Sequence, residues 1–435
     1  MIDLQPHTPS WPTRVLHRIV DVRNEEVAAM LWSCAYFFCV LTAYYIIRPI
    51  RDEMGVAGGV YNLPWLFTGT LVGMVICNLP YAALVARLPR LRFITLSYRF
   101  FMGNLLVFFL LLHLATEAQN IWIGRVFFIW TSVFNLFVVS IFWAFMADLF
   151  TSAQGKRLFG FIGVGGTLGA IVGSSLTMGL AELLGPINLL LISVVLLEVG
   201  IFAVRRLSTI ASRFSDLPAT AHPETIIGGS IFSGFSHALQ SSYLLGICSY
   251  MFLFAIAGTV LYFHQADIVD RAFNDRAVRT AFFARIDLLV NLLTLGTQMF
   301  LTGRLLKVLG VALTLILLPA VCVIGFSILG FAPTLLVIVV FQTLRRATNY
   351  AVARPTRELL YTVVSRDNKF KAKAFIDTFV YRAGDQIGAW TYALMGIIGL
   401  GMTGIAFAAV PLSAVWLGLG LWLGKQQEAK ANLLS

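Results

Sequence analysis

The stretch VAAMLWSCAYFFCVLTAYYII at residues 27–47 carries no charged side chain. Its length matches the roughly 20 mostly apolar residues that one helix needs to cross a lipid bilayer. The whole chain of 435 residues shares this character, being 58% hydrophobic and 12% charged with a mean hydropathy of +0.83. A soluble protein carries about twice that charged fraction. The sequence therefore predicts an integral membrane protein whose surplus apolar surface faces lipid.

Further apolar runs follow this stretch, and we predict twelve membrane spans in two groups of six. The first six are 27–47, 61–86, 93–115, 121–147, 158–181 and 187–205. The second six are 241–266, 281–304, 308–330, 334–354, 374–399 and 402–424. The predicted fold is all-α and integral to the membrane, with twelve transmembrane helices in two six-helix halves of major-facilitator-like architecture. The predicted domains are a cytoplasmic N-terminal segment (1–26), the two halves (27–205 and 241–424), a cytoplasmic linker (206–240) and a cytoplasmic tail (425–435).

Loop charges predict the orientation of the chain. Alternate loops hold basic residues, as in ARLPRLRF at 86–93, whereas TEAQN at 116–120 and GFAP at 330–333 hold none. Because Lys and Arg gather in cytoplasmic loops, we expect both termini in the cytoplasm and the protein in a bacterial inner membrane. The same rule explains the net charge of +11, so nucleic acid is not an expected partner.

The charged residues that follow the first span form the first candidate binding site. Arg48 and Arg51 lie three residues apart and share a helix face, where two guanidinium groups can clamp a phosphate or carboxylate by paired hydrogen bonds. Snorkelling at the outer interface is the alternative, but the charge rule disfavours arginine on that side. Asp52 beside them is a candidate gating or coupling residue.

Polar and charged residues inside the later spans supply further candidates, because such residues in a bilayer usually line a cavity or pair with each other. Asn291 either lines the pore or hydrogen-bonds another helix. Adjacent residues of a helix point in different directions, so only one of Arg345 and Arg346 is expected to face a cavity. We take Arg346 as the candidate for substrate binding. Arg382 and Asp385 are spaced as an i,i+3 pair, which serves either as a gate or as a self-neutralising pair. The substrate-binding candidates in these spans are Arg285, Asn291, Arg346 and Arg382, and the gating or coupling candidates are Asp148, Lys156, Asp287, Asp377 and Asp385.

A glycine pattern predicts a close helix contact. Gly165, Gly169 and Gly173 recur at four-residue intervals, a small-xxx-small face that favours tight packing against another helix. Such a face would also let two helices slide during a conformational change.

Motifs of other functional classes are missing from the sequence. It contains no Walker loop, HExxH, GxSxG or CxxC, and its five cysteines lie in apolar runs without metal-ligand spacing. We therefore expect no enzyme activity, no catalytic residue, no metal and no cofactor. Arginine residues outnumber acidic residues within the spans, which favours an anionic cargo. An ion gradient or exchange of solutes is then expected to drive its transport.

Three segments of the chain resemble the ATP/ADP translocases, the nucleotide transporters of plastids and intracellular bacteria. They are IIRPIRDEMGV at 46–56, FWAFMADLF at 142–150 with AQGKRLFGFIGVGG at 153–166, and RELLYTVVSRDNKFKAKAFID at 357–377. In the first segment Arg48 and Asp52 match the family pattern, and Arg51 stands where the family has lysine. The resemblance implies a twelve-helix, major-facilitator-like fold and exchange of ATP for ADP, or transport of other nucleotides, sometimes with protons.

The third segment extends the resemblance to the loop before the eleventh span. Glu358, Lys373 and Asp377 match the family's pattern there, and the partly cytoplasmic position of the segment implies gating for Glu358 and Lys373. Characterised exchangers carry glutamates in helices four and seven, whereas 121–147 and 243–265 contain no acidic residue here. Two alternatives stay open: a proton-coupled transporter of another organic anion or drug, and a non-transporting scaffold or lipid-handling protein. The expected partners are a nucleotide or other anionic small molecule and membrane lipid, and a monomer is the expected state.

Overall fold

The computed structural model describes residues 22–214, 241–364, 373 and 375–434. A few residues in these ranges are described by their backbone alone, Lys156 among them. The described chain is helical, with short 3-10 and π segments and no strand. Apolar runs of this length form helices because a helix satisfies its own backbone hydrogen bonds where no water is present. The all-α prediction is confirmed for this part of the chain.

The helices before the linker follow the predicted spans closely. They are α1 (Glu26–Ala57), a 3-10 turn (Val60–Asn62), α2 (Leu63–Arg87), α3 (Arg90–Leu114), α4 (Glu117–Leu149), α5 (Ser152–Leu184) and α6 (Leu189–Phe214). The main difference is that α1 continues through Pro49 and ends at Ala57, beyond the predicted boundary at residue 47. Arg48, Arg51 and Asp52 therefore belong to the helix itself. The chain turns after α1 at Gly59, whose φ of 87° is accessible to glycine.

The helices after the linker begin with α7 (Ser242–Ala272), α8 (Arg276–Phe300) and α9 (Thr302–Phe331). The next segment is continuous and consists of α10 (Leu335–Thr348), a π-helix (Asn349–Ala353) and α11 (Arg354–Leu360). A second π-helix (Ile376–Val380) leads into α12 (Tyr381–Ile397), and α13 (Met402–Leu434) follows. Asp275 caps α8 by accepting a hydrogen bond from the Val278 N–H at 2.9 Å. The π-helices are notable because such segments concentrate at functional sites.

Eight of the described helices are long and apolar enough to cross a membrane. The predicted spans outside this set correspond to α6, α8, α10 and α12. Of these, α10 and α12 are short at 14 and 17 residues, while α6 and α8 each carry several charged side chains. Three of these four helices, namely α8, α10 and α12, carry candidate site residues.

The described chain forms two compact units. Unit one comprises the described residues within 1–48, 76–115 and 131–222. In it, α5 lies directly on α1: a Cβ added at Gly165, Gly169 or Gly173 would come within 2.7, 2.4 or 2.5 Å of a backbone oxygen of α1. The predicted close contact of the glycine face is therefore present, and its partner is the first helix.

Unit two comprises the described residues within 49–75, 116–130 and 223–435. Its central helix is α7, which is buried along most of its length and packs against α12 and α13. Tyr250 and Phe254 of α7 pack on the ring of Trp416 in α13, and the Tyr250 hydroxyl donates to the carbonyl oxygen of Leu315 at 2.9 Å. Charged side chains from other helices approach α7 in this part of unit two.

Candidate functional site

Arg345 is the first of several charged groups that contact α7 in unit two, Arg357 among them. It reaches from α10, donates a hydrogen bond to the carbonyl oxygen of Phe254 at 3.2 Å, and places its guanidinium carbon 5.3 Å from the centre of that ring. Gly258 makes this approach possible, because a Cβ there would lie 2.4 Å from Arg345 Nη2. Arg345 is buried, and its Nε makes no hydrogen bond within the described structure.

Asp385 is the second group, and it approaches α7 from α12. One carboxylate oxygen accepts a hydrogen bond from the Thr259 hydroxyl at 3.2 Å, and the other lies 3.4 Å from Nη1 of Arg382. Asp385 is buried, whereas Arg382 is about one-third exposed. The predicted i,i+3 pair is thus present in the structure, with the carboxylate turned inward and the guanidinium reaching outward.

Asp52 is the third group, on the part of α1 that belongs to unit two. Its carboxylate accepts a hydrogen bond from the Tyr262 hydroxyl at 3.0 Å and lies 3.2 Å from Nη1 of Arg51. The Arg51 guanidinium also stacks on the buried Phe128 ring, with 4.0 Å between its carbon and the ring centre. Arg51 Nε makes no hydrogen bond in the part of the chain described. Arg51 is therefore oriented by an aromatic face and one carboxylate while it keeps donors for a further partner.

These contacts follow one another along α7. Phe254 and Tyr262 are about 12 Å apart at a helical rise of about 1.5 Å per residue, and Thr259 lies between them. We call the five charged residues the α7 charge strip, namely Arg51, Asp52, Arg345, Arg382 and Asp385. The strip contains three guanidinium and two carboxylate groups.

Arg48 belongs to unit one, and its guanidinium carbon lies 5.7 Å from the centre of the Tyr45 ring. It is half-buried. The joint clamp by Arg48 and Arg51 stays a prediction.

Arg346, the neighbour of Arg345, points to a different helix. Its Nη1 lies 2.7 Å from the carboxylate of Asp287 on α8, and both side chains are largely buried. Asn291 follows Asp287 by one helical turn and is also buried. Arg285, on the other side of α8, is exposed. The structure thus brings Asp287, Asn291 and Arg346 together and leaves Arg285 outside this group.

An ion pair between α1 and α8 lies beside Asp52, and neither of its two residues was predicted as a site residue. Arg276 binds Glu53 through both Nε and Nη2, at 3.0 and 3.1 Å, and Glu53 is only 1% exposed. Arg276 also lines a cavity of about 330 Å³ together with Glu117 and Asn120. Residues 267–280 hold three acidic and three basic side chains, but nothing in the sequence links Arg276 to Glu53.

The other predicted gating residues lie near the ends of helices. Lys373 forms an ion pair with Glu358 and lies over the Tyr361 ring, and Asp377 is exposed. Asp148 is paired with Arg90 at 3.0 Å, and both side chains are about half exposed. Such exposed pairs contribute little to stability. The side chain of Lys156 lies outside the described residues.

The described residues contain no group of three or more His, Cys, Asp and Glu side chains that could hold a metal ion.

Comparisons with known proteins point to transporters. No protein-family model matches the chain. It is 20% identical over 470 residues to the ADP,ATP carrier protein 2 of Chlamydia pneumoniae, covering 89% of this chain and 86% of that protein. It is 22% identical over 476 residues to the ADP,ATP carrier protein 1 of Chlamydia trachomatis serovar D, covering 93% and 89%.

Solved structures of membrane transporters share the fold. The inward-open xylose transporter XylE from E. coli matches with a TM-score of 0.61 at 10% identity, over 90% of this chain and 94% of that one. The nucleoside transporter NupG matches with a TM-score of 0.56 at 11% identity, over 94% and 99%. The chain therefore has the fold of these transporters and is an integral membrane protein.

Proposed function

We propose that the protein is a secondary active transporter that moves an anionic solute, a nucleotide, by alternating access. The observation that carries this proposal is Arg51, which is fixed by Asp52 and by the Phe128 ring but is still partly exposed. A guanidinium held in this way can accept a phosphate with little loss of side-chain entropy, because its planar fork matches phosphate oxygens. The relatives named ADP,ATP carrier proteins support a nucleotide as cargo.

The proposed route of the cargo uses the predicted residues in two groups. Arg51 binds the phosphates, with Arg48, Arg285, Asn291, Arg346 and Arg382 as further contacts. The gating and coupling residues are Asp52, Asp148, Lys156, Asp287, Glu358, Lys373, Asp377 and Asp385. To these we add the pair of the buried Glu53 and the partly exposed Arg276, which joins the ends of α1 and α8. That pair has to separate if α1 and α8 move apart during transport.

The proposed architecture is twelve spans in two six-helix halves, with both termini in the cytoplasm. In this arrangement α6, α8, α10 and α12 cross the membrane although they are shorter or more charged than the other helices. Reporter fusions placed after 116–120 and after Lys307 test the orientation. The first should report the outside and the second the cytoplasm, and the reverse would contradict the topology.

Transport in proteoliposomes tests the function. Wild-type protein should take up or exchange labelled ATP, ADP or another nucleotide, and Arg51→Ala should reduce this flux at least tenfold, which is about 1.4 kcal/mol of lost binding or transition-state energy. The matched control is Arg125→Ala, which removes another arginine stacked on an aromatic ring, 4.4 Å from Trp122, and should keep the flux. Equal flux in Arg51→Ala and wild type would remove the phosphate contact.

A second candidate is a proton-coupled transporter of another organic anion. The observation that favours it is the lack of any acidic residue at 121–147 and 243–265, where characterised exchangers carry glutamates. A thermal-shift screen separates the two candidates: stabilisation by non-nucleotide anions alone supports the second. Net flux of any solute counts against a scaffold or lipid-handling role, and nothing in the described site supports an enzyme.

A further inference from the structure

Phe254 on α7 is surrounded by cationic and aromatic side chains from other helices of unit two. The guanidinium carbons of Arg345 on α10 and Arg357 on α11 lie 5.3 and 5.0 Å from the centre of its ring, so the two carbons are no more than about 10 Å apart. The rings of Tyr381 and Trp416 each lie 6.0 Å from the Phe254 ring. We call these five residues the Phe254 cluster.

A π-helix directs both arginines to the same ring. They are twelve residues apart on one continuous helical segment, and at about 100° per residue such residues point about 120° apart in a regular α-helix. The π-helix Asn349–Ala353 lies between them, and its wider turn takes up about one extra residue. The remaining residues make about three full turns, so both side chains extend from the same side of the segment.

Arg345 forms no salt bridge with any described carboxylate. Its contacts are the Phe254 carbonyl oxygen at 3.2 Å, the Phe254 ring and the thiol of Cys322. Asp385 interacts with it electrostatically, but that carboxylate is bonded to Arg382. The Arg345 side chain is therefore buried, at 7% exposure, without a carboxylate of its own.

Arg357 is in a similar position. Its one hydrogen bond in the described part of the chain goes to the sulfur of Met251 at 2.7 Å, and a thioether is a weak acceptor. Asp377 is the only carboxylate among its principal electrostatic partners, but Asp377 is exposed and interacts more strongly with Lys373. Two guanidinium groups therefore share one ring, and neither has a carboxylate bonded to it.

The polar atoms of the cluster that lack a partner are hydrogen-bond donors. Arg345 Nε and Trp416 Nε1 are buried and make no hydrogen bond within the described structure, and both groups can only donate. Buried donors nearly always have an acceptor, and a buried charge without a partner is costly. The cluster therefore fits a ligand that accepts hydrogen bonds and carries negative charge. Two cations favour a dianion, and a diphosphate suits them because arginine binds phosphate oxygens in pairs.

We propose that the Phe254 cluster binds the diphosphate group of the cargo through Arg345 and Arg357. This inference rests on the proposed function and names the substrate class as nucleoside diphosphates and triphosphates. Arg357 and Tyr381 are half-buried, so an anion can reach the cluster from their side. A monophosphate can neutralise the two arginines less completely than a diphosphate, so it should bind more weakly.

The cluster adjoins the proposed Arg51 site. The Asp385 carboxylate interacts electrostatically with Arg51 as well as with Arg345. An anion held by the cluster therefore also lies in the field of Arg51, so both sites can act on the same cargo.

The test measures binding of pyrophosphate, phosphate, ADP and AMP to the purified full chain in lipid-free detergent, where no lipid phosphate competes. Wild type should bind pyrophosphate more tightly than phosphate, and ADP more tightly than AMP. Arg345→Gln and Arg357→Gln should each weaken pyrophosphate binding roughly 10- to 150-fold, the usual effect of losing a hydrogen bond to a charged group. Both variants should also lose most of the preference for ADP over AMP. Arg357→Lys should recover part of the loss, since lysine keeps the charge but not the planar fork.

Arg125→Gln is the matched control. Arg125 also stacks on an aromatic ring and donates to a backbone carbonyl oxygen, but no second arginine of the described structure lies over that ring, so this variant should keep the pyrophosphate affinity. A density map of wild type with pyrophosphate is a second measurement that needs no variant. We expect density at Arg345 and Arg357, and density only at another site would overturn the proposal.

The binding results distinguish failure of the site from failure of the proposed function. Unchanged pyrophosphate affinity in both glutamine variants, or no pyrophosphate binding by wild type, would overturn the site, and nucleotide flux by wild type would then leave the proposed function intact. Pyrophosphate binding that depends on Arg345 and Arg357, without flux of any nucleotide, would support the site and refute the proposed function.

Discussion

Removing Arg276 should destabilise the protein more than removing the charge of its partner. Arg276→Ala leaves the Glu53 carboxylate, which is 1% exposed, without the two donors at 3.0 and 3.1 Å. Loss of one partner from a buried pair costs about 3–5 kcal/mol, and we expect about 3 kcal/mol because the Arg276 side chain is itself 38% exposed. Glu53→Gln should cost only about 1 kcal/mol, since the arginine that it leaves behind can turn to water.

The free energy of unfolding is measured by titration with a denaturing detergent in mixed micelles. The double variant Glu53→Gln/Arg276→Ala should be more stable than Arg276→Ala alone, because it no longer buries a charge. Arg271→Ala is the matched control, since it breaks an exposed pair with Asp267 that is worth at most about 1 kcal/mol. A loss in Arg276→Ala no larger than in this control would refute the reasoning that the buried Glu53 carboxylate depends on Arg276.

Three further substitutions test the packing and the site. Gly258→Ala should displace Arg345, since the new Cβ would lie 2.4 Å from its Nη2. The variant should be less stable by about 1–3 kcal/mol in a thermal unfolding assay, and unchanged stability would contradict the close approach. Gly169→Val should lower the stability by more, about 3 kcal/mol or above, because its Cβ would meet the backbone oxygen of Phe38 at 2.4 Å. A folded variant with wild-type stability would exclude that contact. Arg51→Lys should raise the KM for a nucleotide about tenfold and leave kcat near wild type, because lysine keeps the charge but loses the paired hydrogen bonds; a fall in kcat alone would assign Arg51 to a later step.

The helical fold could be predicted because its signal is local. Long runs without charge determine where helices form, and the spacing of Gly165, Gly169 and Gly173 indicated a close contact before its partner was known. The end of α1 was placed too early because Pro49 and the charged residues after it imitate a helix terminus. In the structure the helix continues to Ala57, since a proline lacks one hydrogen bond but its φ is compatible with a helix.

The pairing of side chains could be predicted only in part. The interval between Arg382 and Asp385 fixes their contact within one helix, and the structure contains that pair. No interval links Asp287 to Arg346 or Glu53 to Arg276, because such contacts depend on which helices become neighbours. Gly258 gave no signal either, since a single glycine in an apolar helix acquires its role only when Arg345 lies against it.

Exchange of labelled nucleotide across a membrane tests the central proposal most directly. Proteoliposomes that contain the wild-type protein are loaded with unlabelled ADP, and uptake of labelled ATP is compared with that of Arg51→Ala and Arg125→Ala vesicles. We predict rapid uptake by wild type and Arg125→Ala and at least tenfold slower uptake by Arg51→Ala. Protein-dependent uptake that is equal in all three, or no uptake of any nucleotide by the wild type, would contradict nucleotide transport through the Arg51 site.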